Sequence, residues 1–404
     1  MSRRAKTSTA AASAASEDSA SALAAAEALL PLVRRCREEG ERLRHVAPAM
    51  AEAARKAGLL HMYLPRGLGG RQLDPLTAFK IVEMISSVDG SIGWCVMIAS
   101  VQSAHAGWLR PDIGRKIAGD PVDLGMAGSI RPLGRAIPVD GGYRVSGQWD
   151  FASGVHHATW VIAPSIIMNG DTPRRDAMGQ PVWRIMWVPK ADFRIVDTWY
   201  VVGLRGTGSH DFAIDDVFVP EAHSSMTSEP QQHPGVSYDR RLQTTWAWTA
   251  TVANALGIAR GALDNFSDLA TTHATTMTTA LLRDRPRVQA QVGEAEAMIG
   301  AARSYVFDKV GRLWELAHAE SGGAALDRAV AEARLSITHG MYEARHAVDL
   351  VFHAAGTNAI YTRNPLERYF RDIHVAIQHG AALPVHMESA GKALLGLRPT
   401  DPGW

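Results

Sequence analysis

Cysteine is almost absent: Cys36 and Cys95 are the only two in 404 residues. No CxxC pair occurs, so neither a zinc site nor a redox pair can be assembled, and a disulfide scaffold is excluded. A reducing compartment is the simplest setting. No charge sign dominates: 42 Lys and Arg stand against 41 Asp and Glu, a formal net charge of +1. That balance excludes a nucleic-acid binder relying on a basic face, and equally a polybasic membrane-surface protein. No apolar run approaches the ~18 residues that a membrane span needs. Arg3-Arg4 could open a twin-arginine signal, but Ser, Thr, Glu and Asp between Thr7 and Ser21 interrupt any apolar region behind it. A cytoplasmic location is expected. Common active-site signatures are missing too. No GxGxxG follows a strand pattern, and Gly203-Leu204-Arg205-Gly206-Thr207-Gly208-Ser209 has the wrong spacing for one. With no Walker motif and no HExxH, neither a resident nicotinamide site nor a metal site is expected.

What is present is an ordinary globular composition, 46% apolar and 21% charged, in a chain long enough to bury a large core. Residues 1–20 are rich in Ala and Ser and read as a disordered tail. Residues 21–120 read as helices: one beginning at a Ser21 cap, one over Ala53 to Leu60 stopped near Gly58, and two more over Leu76 to Ser86 and Ser91 to Leu109. Asp89 and Ser91 are candidate caps for the last. Residues 121–235 change character. Asp140-Gly141-Gly142 between apolar strands is a hairpin signal, and Trp183, Ile185 and Trp187 alternate as strand residues do. Phe212 to Ile214 and Val217 to Val219 read as two further strand pieces. Residues 236–404 return to helix, with Ala-rich periodic stretches over Trp246 to Leu269, Val288 to Ala317 and Leu326 to Ala354. Their breadth of apolar surface predicts a bundle that also forms an oligomer interface. The order helix, sheet, helix excludes a doubly wound nucleotide fold and predicts an α+β, mostly α protein.

Several residues bear chemistry. His105 follows Trp94, Ile98 and Val101 at helical spacing and precedes Trp108, which makes it either a core histidine or a base facing a substrate in an aromatic pocket. Trp149-Asp150-Phe151-Ala152-Ser153-Gly154 ends an aromatic strand in Ser-Gly. There the backbone can approach a flat ligand and Ser153 can hydrogen-bond it, unless it is a plain strand end. His156 and His157 are adjacent and do not suit one metal. Gly206-Thr207-Gly208-Ser209 is either an anion or ring cradle or a simple loop. Arg283, Arg285 and Arg287 flank Pro286 before a long helix, as phosphate ligands or as a solvated loop. In Phe370 to His379, His374 and His379 are five apart and do not align on a helix, which points to separate roles.

In combination these segments resemble the acyl-CoA dehydrogenase superfamily. The carriers are Ser91-Ile92-Gly93-Trp94, Gly147 to Gly154, Gly203 to Ser209, and the stretch from Ala355-Gly356-Thr357 through Asn364-Pro365-Leu366-Glu367-Arg368 to Arg371-Asp372-Ile373-His374. The chain is most similar to the two-component (group D) flavin-dependent monooxygenase branch, the oxygenase components of 4-hydroxyphenylacetate, steroid-phenol, dibenzothiophene and polyketide hydroxylases. The resemblance runs from about Leu29 to Leu397. It implies N-terminal helices, a middle antiparallel β domain, a C-terminal four-helix bundle and a homotetramer, with flavin held between the β domain and bundle helices of two subunits.

The resemblance also implies a function. A separate NAD(P)H:flavin reductase supplies reduced flavin, FMNH2 or FADH2. The protein combines it with O2 through a C4a-hydroperoxyflavin and hydroxylates an aromatic or polycyclic small molecule. By motif matching, Ser153 hydrogen-bonds the flavin near N5 and C4a. His379 stabilises the hydroperoxide, with His374 as the substitute if the register shifts. His105 polarises a substrate hydroxyl or takes its proton, and Trp94 helps bind substrate. Ser129, Trp149, Gly154, Thr207, Arg283 and Gly356 hold the flavin and its phosphate. Dehydrogenase relatives use a glutamate near an Arg-Asp pair, and here no Glu follows Asp372 until Glu388. Two alternatives remain: a flavin dehydrogenase or oxidase with its base elsewhere, and a non-catalytic helical binding subunit.

Overall fold

The computed structural model describes residues 2–274, 279–319 and 322–399, with side chains from residue 16 onward. The first helices are α1 (Ser2–Leu43), α2 (Pro48–Lys56), α3 (Pro75–Ser86), α4 (Gly90–Ser103) and α5 (Pro111–Ala118). Strands follow: β1 (Met126–Gly128), β2 (Gly134–Val139), β3 (Gly142–Trp149), β4 (Trp160–Asn169), β5 (Thr172–Pro173), β6 (Trp183–Pro189), β7 (Arg194–Val196), β8 (Asp211–Pro220) and β9 (Ser224–Ser225). The chain closes with α6 (Gln243–Ala270), α7 (Pro286–His318), α8 (Ala324–Ala355), α9 (Pro365–Ala376) and α10 (Val385–Leu394).

Three boundaries differ from expectation. The stretch expected as a tail over 1–20 is helical from Ser2 onward, so Ser21 lies inside α1 and caps nothing; Met1 is outside the described residues. Alanine has the highest helix propensity, and no Gly or Pro interrupts residues 2–30. The helix expected to reach Leu109 ends at Ser103 and tightens into a 3-10 turn, Ala104–Trp108. Three residues per turn replace 3.6 there, so α-helical spacing no longer fixes where His105 points. The two pieces expected at 212–219 form one strand, β8, with a bulge opposite β3 between Val145 and Gly147 and Asp216 at φ +54°.

The chain forms two compact units. The first holds Met1–Asp74, Cys95–Tyr200 and Arg205–Arg240; the second holds Pro75–Trp94, Val201–Leu204 and Arg241–Trp404. In the first, the sheet runs β7-β8-β3-β2-β4-β6-β9, with β1 and β5 also paired to β4. Most pairings are antiparallel, and β1 and β2 are parallel to β4. The Asp140-Gly141 turn joins β2 to β3, with Gly141 at φ +74°. Alternation along β6 sends Met186 and Val188 into one core, with Trp149 and Phe212. It sends Ile185 and Trp187 into another, with Leu64, Leu109 and Ile117 from the helical part of the chain. Both faces of the sheet are therefore buried here.

In the second unit, α6 is buried on nearly every side from Thr249 to Ala259 and packs against α3, α7, α8 and α9. A Cβ at Gly257 would lie 2.4 Å from the Glu83 carbonyl oxygen, so glycine permits the close approach of α6 and α3. Asp89 caps α4 through its carboxylate and the Ile92 N–H at 2.8 Å.

Candidate functional site

In the first unit the structure joins two sequence motifs. Trp149 closes β3, and the chain then turns through Phe151, a non-glycine residue at φ +58° that is 63% exposed. A left-handed residue of this size is strained, and such strain concentrates at working sites. The Ala152 N–H donates to the His210 carbonyl (3.1 Å) and the Gly154 N–H to the Thr207 carbonyl (2.9 Å). This seats Ser153 against the second motif. Ser153 Oγ lies 2.6 Å from Ser209 Oγ, which lies 2.7 Å from Thr207 Oγ1. Three hydroxyl protons serve two mutual bonds, so one of the three hydroxyls donates elsewhere. Gly154, at φ +76°, keeps the backbone bare at the turn.

Ser129 belongs to the same unit, just past β1. Its Oγ accepts from the Arg131 N–H at 3.2 Å, and Arg131 pairs with Asp150. Two buried acceptors here have no hydrogen-bond partner among the described residues, Asp150 Oδ1 and Gln102 Oε1. Gln102 Nε2 approaches the Gly128 carbonyl at 3.5 Å. His105 is half-buried in the 3-10 turn, its ring 6.5 Å from that of Trp108, and burial pushes its pKa down to about 4. It is therefore a neutral imidazole at pH 7. Two of the expected flavin ligands are buried. Trp149 is fully buried, stacked on Phe212 at 5.1 Å, with its indole N–H on the Pro164 carbonyl at 2.8 Å. Thr207 is also fully buried. Alternation showed that Trp149 faces one side of the sheet, but not that this side is closed.

The second unit holds Trp94, His379, His374, Arg283 and Gly356. α9 stops at Ala376, and His379 caps a following 3-10 turn, Gly380–Ala382. Its Nδ1 accepts from the Ala381 N–H at 3.2 Å, which assigns the proton of the neutral ring to Nε2. Burial pushes its pKa down to about 4. The Trp94 indole meets this imidazole at 5.6 Å between ring centroids. His374 is occupied: Nδ1 lies 2.7 Å from the Phe370 carbonyl and Nε2 lies 3.3 Å from Asp349. Arg283 is exposed, 3.7 Å from Asp284, and Gly356 ends α8 at φ +57°. Neither is among the described residues lining a cavity of about 620 Å³ nearby, which is walled by Asn265, Asp268, His273, Asn358, Tyr361 and Arg363. Glu388, the first carboxylate after Asp372, is exposed on α10 and paired with Lys392 at 2.6 Å, which does not suit a proton-abstracting base.

The acyl-CoA dehydrogenase N-terminal domain family matches residues 13–108, and the acyl-CoA dehydrogenase C-terminal domain family matches residues 249–384. The chain belongs to the acyl-CoA dehydrogenase superfamily. It is 32% identical to the indole-3-acetate monooxygenase of Pseudomonas putida, over 95% of this chain and 97% of that protein. It is 29% identical to the oxygenase subunit of a flavin-dependent monooxygenase from Rhodococcus jostii, over 89% of this chain and 94% of that one. The crystal structure of 3-HSA hydroxylase from Rhodococcus is similar throughout, with a TM-score of 0.84, 28% identity, and coverage of 95% of this chain and 99% of that one. The superfamily fold and the monooxygenase branch are those the motifs implied. This acyl-CoA dehydrogenase relative is an oxidoreductase of the flavin-dependent monooxygenase branch.

The residues present fit a flavin. A ring with N–H and carbonyl edges needs apolar surface, donors and acceptors together. Phe151 and Ile130 are exposed apolar groups, the Ser153 and Ser209 hydroxyls lie at the turn beside them, and Asp150 Oδ1 is a buried acceptor with no hydrogen-bond partner among the described residues. Sequence reasoning passed over Asp150 and Gln102, although both lie beside residues it singled out.

Proposed function

We propose that this protein is the oxygenase component of a two-component monooxygenase that takes reduced flavin from a separate NAD(P)H:flavin reductase and hydroxylates an aromatic or polycyclic small molecule with O2. Support comes from the curated relatives, named as monooxygenases over nearly their whole length. The observation that carries the reading is His379. Its neutral ring, with Nδ1 engaged and Nε2 protonated, is a hydrogen-bond donor and not a base for an α-proton. Bound reduced flavin supplies the electrons and, with O2, the electrophilic oxygen.

The chain's own residues bind, orient and exclude water. Ser153, at the end of its hydroxyl chain, hydrogen-bonds the flavin ring. His379 Nε2–H donates to the activated oxygen, and Trp94 walls off water from it. His105, neutral at pH 7, hydrogen-bonds a substrate hydroxyl and polarises it. Ser129 lies close enough to the Arg131–Asp150 pair to share in ring binding. Arg283, exposed beside Asp284, and Gly356 at the end of α8 are the residues for the phosphate-bearing end of the flavin.

Leu383, Val385, Leu395 and Leu397 are exposed around α10, apolar surface that supports a homotetramer; light scattering checks it. No helix among the described residues is long and apolar enough to cross a membrane, and a need for freshly reduced flavin supports the cytoplasm. The test is reconstitution with a flavin reductase, NADH and candidate phenols and indoles under isotopically heavy O2. Product carrying one labelled oxygen supports the reading, and water-derived oxygen or no oxygenated product overturns it.

A further inference from the structure

The turn that presents His379 is fastened from outside. A 3-10 turn of three residues has little stiffness of its own. Here its internal bonds are Ala382 N–H to the His379 carbonyl (2.9 Å) and Leu383 N–H to the Gly380 carbonyl (3.2 Å). Side chains from α8 and α10 then take every carbonyl of the turn. His386 Nε2–H donates to the Gly380 carbonyl at 2.8 Å. Thr338 Oγ1 donates to the Ala381 carbonyl at 2.8 Å and Tyr342 Oη to the Ala382 carbonyl at 2.7 Å. Thr338 and Tyr342 are four apart on α8, so both reach from one face. Thr338 is completely buried.

The connection to His379 runs through one peptide plane. The Gly380–Ala381 peptide accepts from His386 at its oxygen and donates to His379 Nδ1 at its nitrogen. A carbonyl polarised by a donor makes the N–H across the same amide a better donor. Trp248 lies 4.4 Å from the His386 ring, ring centre to ring centre, and holds it in place.

We propose that Thr338, Tyr342 and His386 are positioning residues that hold the Gly380–Ala382 turn so that the Ala381 N–H stays on His379 Nδ1, which keeps the His379 proton on Nε2 and fixes its aim. This rests on the reading of His379 as the donor to activated oxygen. The clamp residues act on His379 through the turn.

The test uses Thr338→Val and Tyr342→Phe, which remove one donor each at nearly constant shape, with Thr338→Ser as the rescuing variant. Amide hydrogen exchange of the flavin-free full chain is expected to rise about fivefold in the peptide covering residues 379–383 and to stay unchanged in α6 and α7. Anaerobic titration is expected to give a reduced-flavin Kd within about twofold of the parent. On mixing with O2, the absorbance transient is expected to decay about fivefold faster in both variants, and at the parent rate in Thr338→Ser. In a His379→Ala background the same substitutions are expected to add nothing. Acceleration that persists in that background overturns the proposal, because the effect then bypasses His379. If His379→Ala speeds the decay while exchange and decay in both variants match the parent, positioning fails and the His379 reading stands. If His379→Ala itself leaves the decay unchanged, both fail.

Discussion

The imidazole of His379 meets the indole of Trp94 edge to face, with ring planes at 78°. Such a pair contributes about 0.5–1.5 kcal/mol beyond its buried area. Trp94→Phe preserves a ring there, and Trp94→Ala leaves a wet gap. With reductase in excess, Trp94→Ala is expected to raise hydrogen peroxide released per product about tenfold, and Trp94→Phe less than about threefold. Equal ratios in the two variants would remove the water-excluding wall from the account.

Ser153 and Trp149 separate binding from folding. Ser153→Ala removes one end of the hydroxyl chain to Ser209 and is expected to weaken reduced-flavin binding about five- to tenfold with little change in Tm. Trp149→Phe leaves the Pro164 carbonyl without its donor and opens a core gap against Phe212. It is expected to cost about 2–4 kcal/mol of stability and leave the Kd unchanged below its melting range. Anaerobic titration and thermal melts check both. A folded Trp149→Phe with weakened flavin binding would return the indole to the flavin.

His374 and His379 are expected to behave oppositely. His374 is spent on the Phe370 carbonyl and Asp349, so His374→Ala is expected to lose about 1 kcal/mol of stability and keep the parent ratio of product to peroxide. His379→Ala is expected to lose most of its product to peroxide. Chromatography of product beside a peroxide assay reads both.

Much of the fold was legible in sequence because it is local. Ala-rich periodicity located α6, α7 and α8 within a few residues of their ends, and Asp140-Gly141 marked its hairpin. What sequence hid is non-local. The bulge in β8 made one strand look like two. The grouping of α3 with the C-terminal helices depends on the close approach at Gly257. The motifs around Ser153 and Ser209 carried the resemblance, yet nothing in their spacing showed that the hydroxyls bond one another. Thr338, Tyr342 and His386 carried no motif, since their partners are backbone carbonyls far along the chain.

Burial of imidazoles sets the acid limb of stability. His105, His157 and His379 are pushed down to about 4 and His156 to about 3, in each case chiefly by burial. An unfolded histidine titrates near 6.5. Between about pH 6.5 and 4 the unfolded chain therefore binds protons that the folded chain refuses. Stability is full above about 6.5 and falls as pH drops through that window. Tm is expected to decline from pH 6.5 to 5 and to be flat between 7 and 8, with a shallower decline in His156→Gln. A Tm independent of pH from 7 to 5 would contradict these shifts. The same depression keeps His379 neutral, so the decay of the oxygen transient is expected to show no inflection near pH 6.5 from this group.

The most direct measurement is anaerobic stopped-flow mixing of the protein with reduced FMN or FAD, followed by oxygenated buffer, with no reductase present. The account predicts an absorbance transient that outlasts the reoxidation of free flavin, is shortened in His379→Ala, and favours one of the two flavins. Reoxidation at the free-solution rate, with or without the protein, would contradict it.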